Sequence, residues 1–239
     1  RLKDQFQPQI YWEQHDRRIM DEDSHGLIVG HVTYCFMISE LLRRTGVVPG
    51  SIIGYSLGES AGIVSQKIWP DRDAVLQKLE KSRLFTESLG GPCTALLSEW
   101  ELPPGVFPEW SMAVVNISPA SLGEKLDGWP RLYLLIKNTP DQCVIGGHGP
   151  DLDRFLHEHS LVGTAVKVTG VTVAHVPAVH EVAEDYLSLH YWPVHNPGNL
   201  NVYSGAWSRS YPVKSETCSE AILAHATEGI DYPATIESA

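Results

Sequence analysis

Gly54-Tyr55-Ser56-Leu57-Gly58 sets one hydroxyl between two glycines. The apolar pair Ile52-Ile53 precedes it and helix-forming residues follow, so the pattern predicts strand, tight turn and helix, the setting of a nucleophilic serine. Gly54 and Gly58 lack a Cβ, which lets the chain turn sharply and pack closely beside Ser56. The turn lifts the Ser56 hydroxyl above the sheet edge and leaves the Leu57 amide at a helix N-terminus, where backbone N–H groups meet developing negative charge. Glu59 in the first helical turn complements the same dipole. Turns favour Gly and Ser, so the five residues alone could arise by chance. The strand before them and Leu57-Gly58-Glu59 after them argue for the nucleophile.

A serine needs a base. Among 11 histidines, His175 is the candidate, because it follows the apolar run Val171 to Ala174 and a strand end can overhang the turn. His180 is its rival, five residues on and on the next predicted helix. His157, His159, His190, His195 and His225 read as surface or loop residues. No histidine or cysteine cluster has zinc-ligand spacing, so no metal is expected. Arg83 offers a planar two-pronged donor for a carboxylate; read by itself it is a solvated helix arginine.

These residues need a scaffold. A chain of 239 residues with 43% hydrophobic and 20% charged residues is ordinary globular material, large enough for one large domain or a large one with a smaller insert. The net charge of −11 and the lack of a basic block argue against nucleic acid. The four cysteines form no Cys-x-x-Cys pair and read as reduced, buried thiols of an intracellular, cytoplasmic protein. The longest apolar run, Leu27 to Leu42, is interrupted by polar residues and reads as a buried helix, not a membrane span. No signal peptide is evident, and the leading arginine suggests a chain that begins inside a longer polypeptide.

Residues 1–24 are polar, with Tyr11 and Trp12 as anchors. A helix is predicted from Gly26 to Arg44, with Leu27, Val32, Cys35, Ile38, Leu41 and Leu42 sharing a face and Gly46 as its cap. The helix after Ser56 should run to about Trp69. Another begins at Asp71 as N-cap and ends at Gly90-Gly91-Pro92. Ala95-Leu96-Leu97, Ala113-Val114-Val115, Leu132 to Ile136 and Gln142 to Ile145 read as short strands. A helix from Asp151 to about His159 follows, then a strand between Leu161 and Val168. This alternation suggests a small α+β insert. Thr172-Val173-Ala174 should return to the main sheet, followed by a helix over Glu181 to His190, a strand over Leu200 to Tyr203 and a helix over Ser219 to Glu228.

Together these features resemble the acyltransferase domains of fatty-acid and polyketide synthases, over nearly the whole chain. Gly54-Tyr55-Ser56-Leu57-Gly58-Glu59 resembles the family's Gly-His-Ser-x-Gly-Glu. Asn138-Thr139-Pro140-Asp141-Gln142-Cys143-Val144-Ile145-Gly146-Gly147 resembles its Asn-x-Pro-x-Gln-x-Val-x-(Ser/Gly)-Gly stretch, and Val173-Ala174-His175 the segment holding its catalytic histidine. Arg83 matches the arginine that grips the substrate carboxylate. Tyr55, Ser82-Arg83-Leu84-Phe85, Gly91-Pro92-Cys93 and Val202-Tyr203-Ser204-Gly205-Ala206-Trp207 are most similar to the iterative type, as in polyunsaturated-fatty-acid and enediyne synthases.

The resemblance implies an α/β fold: an α/β-hydrolase-like large subdomain, residues 1–96 and 170–239, with an inserted ferredoxin-like small subdomain, residues 97–169. It implies a Ser56–His175 dyad oriented by a backbone carbonyl, here placed near Ser204 or Gly205, with the Leu57 amide as oxyanion donor. Arg83 would bind the substrate carboxylate, and Tyr55, Gly54, Gly58, His31, Asn138 and Ser204 would support the site. The reaction would load an extender acyl group, malonyl by the subfamily likeness, from coenzyme A onto the phosphopantetheine of an acyl carrier protein. No bound cofactor is expected, and the partners would be the carrier protein and neighbouring synthase domains, without nucleic acid or membrane. Three departures stand out. Tyr55 replaces the usual histidine. Ala174 and Val176 do not match the common extender-selecting pattern. The family's Gly-Gln-Gly strand, whose glutamine amide is the second oxyanion donor, is absent from residues 1–24, so the chain either begins after that strand or is impaired. The rivals are a serine esterase or thioesterase, which needs an acid such as Asp141, Asp151 or Asp153, and a degenerate structural domain of a synthase.

Overall fold

A computed structural model describes residues 24–239 apart from 104, 169–170 and 196–197. The expectations for Tyr11, Trp12 and the missing Gly-Gln-Gly strand lie outside the described residues. Helix α1 spans Ser24–Arg44. Gly46, at φ +88°, closes it by donating its amide to the Arg43 carbonyl, a left-handed cap that suits a residue without a Cβ. Val29 and Val32 are buried, but Ile38, Leu41 and Leu42 are exposed. The stripe expected to be buried along all of α1 is thus covered only in its first half among the described residues.

Strand β1 (Ser51–Ile53) leads through the turn into α2 (Gly58–Ser65). That helix stops short of Trp69, because Lys67 turns left-handed at φ 58° and sends Ile68 and Trp69 into the core. Asp71 caps α3 (Arg72–Lys81), accepting from the Ala74 amide at 2.9 Å. The helix does not reach Gly90. Ser82 is extended, and a single π-helical turn, Leu84–Ser88, replaces the expected last turns. Ala95-Leu96-Leu97 is not a strand: Leu96–Glu99 form the short helix α4.

The middle of the chain runs β2 (Trp110–Val115), α5 (Pro119–Lys125), β3 (Leu132–Thr139), β4 (Gln142–His148), α6 (Gly149–Glu158) and β5 (Val166–Val168). Ser118 caps α5 with its hydroxyl on the Ser121 amide, and Pro119 opens it, a position where a missing N–H costs nothing. On α6, Leu152, Phe155 and Leu156 recur at helical spacing and are buried. The segment Val171 to Ala174 is not a strand. Within it the Val173 amide goes to the Leu89 carbonyl at 2.6 Å, and just past His175 the Val176 amide goes to the Ala226 carbonyl at 3.1 Å. A 3-10 turn (Pro177–Val182) and α7 (Ala183–His190) follow. The chain closes with β6 (Asn201–Ser204), β7 (Arg209–Tyr211), α8 (Ser215–Thr227), β8 (Ile230–Asp231) and α9 (Tyr232–Ser238).

Two sheets result, ordered β1-β6-β7 and β5-β2-β4-β3-β8. In the first, β1 and β6 are parallel, with Ile52 opposite Val202 and Ile53 opposite Tyr203. In the second, β2 to β5 are antiparallel, and β8 joins β3 in parallel with Ile136 opposite Ile230. Strand β8 lies far outside residues 97–169 yet completes their sheet. The larger apolar core includes Ile63, Trp69, Leu76, Val179 and Ile222; a smaller one gathers Leu122, Ile145, Leu152 and Phe155. Among the described residues no helix is long and apolar enough to cross a membrane.

Candidate active site

The turn between β1 and α2 forces the geometry. A Cβ on Gly54 would stand 2.0 Å from the Glu59 amide nitrogen, so only glycine lets the helix fold back this closely. Around Gly58 a Cβ would meet nothing within 4 Å, so close packing accounts for Gly54 and not for Gly58. Gly62 matters too: a Cβ there would lie 2.5 Å from Ile52 Cγ2, which seats α2 against β1. Ser56 itself is left-handed at φ 50°, a strained conformation for a residue with a Cβ.

Ser56 Oγ lies 3.0 Å from His175 Nε2. His175 also sits on left-handed backbone, at φ 65°. Its Nδ1 is 2.6 Å from the His225 carbonyl oxygen. A carbonyl only accepts, so Nδ1 carries the proton and donates it. The neutral ring then presents a bare Nε2 lone pair to the Ser56 hydroxyl. Burial pushes His175 down to about 4, partly opposed by that hydrogen bond, so the ring is neutral at pH 7.

The orienting carbonyl is therefore that of His225, at the end of α8, not one near Ser204 or Gly205. The Ser204 carbonyl instead takes the Ser208 amide, its hydroxyl takes the Trp207 amide, and the Gly205 carbonyl takes the Asp231 amide. His180 is exposed and away from this pairing. Asp141 bonds Thr139, Asp151 meets His148 and Arg154, and Asp153 meets Lys167; His175 Nδ1 faces none of them.

Leu57 is the N-cap of α2, so its amide belongs to the set that a helix start leaves without an intrahelical partner. Tyr55 donates its hydroxyl to Asn138 Oδ1 at 2.8 Å. Asn138 Nδ2 donates in turn to Gln142 Oε1 at 3.1 Å, and Gln142 Nε2 to Asn116 Oδ1 at 2.9 Å. The motif residues Asn138 and Gln142 thus tie the serine turn to the β3–β4 hairpin. His31 is exposed on α1 and does not line the site. Arg83 precedes the π-helical turn, its side chain is 80% exposed, and it pairs with Glu87 at 3.4 Å. It is not brought to the cavity wall.

That cavity, of about 120 Å3, opens beside Ser56, Leu57 and His175 and has apolar walls from Leu76, Leu79 and Phe85. Phe85 comes from the π-helical turn after Arg83. Two histidines read from sequence as surface or loop residues are buried here. His190 has its Nδ1 2.8 Å from the Tyr186 carbonyl, and burial pushes it down to about 4. His225 is held to about 3 by burial and by its neighbour His175. Glu59 is also buried and points away from the dipole role expected of it: Tyr211 OH donates to its Oε1 at 2.9 Å and the Gly205 amide to its Oε2 at 3.3 Å. The apolar company of His225 on α8, Ala221, Ile222, Ala224 and Ala226, is the sequence signal that could have marked it as buried.

No protein-family model matches the chain. Over 187 residues it is 28% identical to erythronolide synthase EryA2 of Saccharopolyspora erythraea, a match that covers 77% of this chain and 5% of that protein. Malonyl-CoA:acyl carrier protein transacylase of Xanthomonas oryzae pv. oryzae superposes with a TM-score of 0.70 at 18% identity, over 94% of this chain and 68% of that one. The acyltransferase domain from module 8 of the salinomycin polyketide synthase gives 0.69 at 18% identity, over 91% and 47%. The acyltransferase domain of an iterative enediyne polyketide synthase gives 0.66 at 18% identity, over 90% and 53%. The chain spans a small part of its curated relative and about half of the synthase domain structures. It shares the mixed α/β fold of acyltransferase domains of polyketide synthases and of the transacylase, and its sequence relatives are polyketide synthases.

Proposed function

We propose that the chain is an acyltransferase that moves a malonyl group from coenzyme A to an acyl carrier protein through an acyl-serine. The observation that carries this reading is the 3.0 Å approach of Ser56 Oγ to a His175 ring whose other nitrogen is held by a carbonyl. Ser56 Oγ attacks the thioester carbon as its proton passes to His175 Nε2. The Leu57 amide stabilises the oxyanion. The C–S bond breaks, and the coenzyme A sulfur leaves with the proton from His175. A phosphopantetheine thiol then gives its proton to His175 Nε2 and attacks the acyl-serine, and Ser56 Oγ leaves and recovers the proton. Tyr55, through Asn138, holds the turn against β3. Arg83, which stands outside the cavity wall paired with Glu87, would have to exchange that weak exposed pairing for a two-pronged one with the malonyl carboxylate.

We read the architecture as an α/β-hydrolase-like part, residues 1–96 and 170–239, with a ferredoxin-like insert, residues 97–169. The β-α-β-β-α-β order of β2 to β5 supports this. The partners are a carrier protein and neighbouring synthase domains of the cytoplasm. Chemistry favours transfer over an esterase of the triad type, because the partner of His175 Nδ1 is a carbonyl where such an enzyme places an acid. The test supplies the acylated protein with a carrier-protein thiol and follows thioester and free acid together. Transfer should outrun hydrolysis by at least tenfold; release mainly to water would make the chain a hydrolase. Arg83→Ala should move preference from malonyl- toward acetyl-CoA, and unchanged preference would remove Arg83 from substrate binding.

A further inference from the structure

Glu59 follows Ser56 by three residues and has no exposed surface. A buried carboxylate needs donors, and among the described residues none here comes from lysine or arginine. Tyr211 OH and the Gly205 amide donate to it, at 2.9 and 3.3 Å, and His225 Nδ1 lies 3.4 Å from the same Oε2 that takes the amide. The fit is tight on the far edge of that ring, where a Cβ on Gly205 would stand 2.7 Å from His225 Nε2. His225 Nε2 is buried without a hydrogen-bond partner among the described residues. Buried N–H groups are rarely left orphaned, so the ring proton belongs on Nδ1, facing Glu59. The carbonyl of this same His225 holds His175 Nδ1 at 2.6 Å.

We propose that Glu59 and His225 are positioning residues for His175: the ionised Glu59 carboxylate, braced by Tyr211 and Gly205, fixes His225 and thereby the carbonyl that sets the tautomer and aim of the base. This rests on the reading of Ser56 and His175 as the acyl-transfer pair and adds to it a second pair one layer deeper.

Among the described residues, the groups facing Glu59 are His225 and Cys218 of α8, Tyr211 of β7, Tyr186 of α7 and His175, which lines the same cavity. Burial lifts Glu59 to about 7 against the lowering effect of its two hydrogen bonds, while His175 is held near 4. A rate that depends on the carboxylate therefore falls as the pH drops through 7, well before His175 itself is protonated.

The experiment is the pH dependence of Ser56 acylation by acyl-CoA in the full chain. Wild type should show a limb near pH 7. In Glu59→Gln the limb should vanish and the plateau fall on the order of ten- to a hundredfold, the loss of the charge that His225 faces. His225→Phe puts a phenyl ring in place of the imidazole and removes the donor, so it should move the limb to higher pH; it carries the test if Glu59→Gln does not fold. Folded variants that keep the wild-type profile overturn the inference, as does a uniform drop with the limb in place. Labelling of Ser56→Ala would instead overturn the acyl-serine reading on which it rests.

Discussion

The core around Phe155 and the region around His175 are both buried, and they are filled differently. Phe155 packs with Leu122, Ile145, Leu152 and Leu156, apolar side chains from α5, β4 and α6. His175 shares its cavity lining with the buried Glu59, His190 and His225 and is fixed by irregular backbone. Ser56 and His175 both sit at positive φ. In the first region each buried group gains from leaving water. In the second, groups that prefer water are held dry and two residues are held strained, which costs stability and sets up chemistry.

That contrast predicts opposite consequences of mutation. His175→Ala should reduce the rate of Ser56 acylation by roughly 10²- to 10⁴-fold, the usual worth of a general base, while thermal unfolding stays near or above that of wild type. Phe155→Ala should do the reverse. It should cost about 3–5 kcal/mol in a denaturant titration and leave acylation per folded molecule unchanged. If His175→Ala unfolds the protein and Phe155→Ala removes only activity, the division is wrong.

Acid sharpens the same contrast. His175, His190 and His225 have folded pKa values near 4, 4 and 3, all depressed by burial below the ordinary 6.5. Their neutral forms support the fold above pH 6.5, and that support is lost as the pH falls toward 4. Glu59, raised to about 7, acts in the other direction and stabilises the fold at low pH. Three groups outweigh one, so stability should drop by several kcal/mol on acidification from pH 6.5 to 4. His225→Phe should flatten that slope and Phe155→Ala should not; equal slopes in both would contradict the assignment.

The smallest effect lies on the seam between the two regions. Tyr55→Phe removes the hydroxyl that bonds Asn138 and should cost about 0.5–1.5 kcal/mol. A double-mutant cycle with Asn138→Ala checks that the two losses are shared.

The same division explains what could be read from residue order. Helix α6 was legible because Leu152, Phe155 and Leu156 repeat at helical spacing, and the strand pattern marked β2, β3 and β4. Ala95-Leu96-Leu97 reads as a strand yet opens a short helix, because three apolar residues carry no period. The Ser56 turn was legible from its glycines and its strand and helix. Val171 to Ala174 reads as a strand because it is mostly apolar, but its Val173 amide pairs with Leu89, far along the chain, and not with a strand neighbour. For the same reason residue order points to a carbonyl near Ser204 or Gly205, where the structure has that of His225. The burial of Glu59 was hidden as well, since its partners Tyr211 and Gly205 meet it only through the β6–β7 packing.

The central claim is that Ser56 is the acyl-accepting hydroxyl and His175 its base. Intact-protein mass after incubation with malonyl-CoA tests it most directly, followed by peptide mapping. The account predicts one malonyl adduct on the peptide containing Ser56, slowed in His175→Ala and absent in Ser56→Ala. An adduct of equal yield in Ser56→Ala would contradict it.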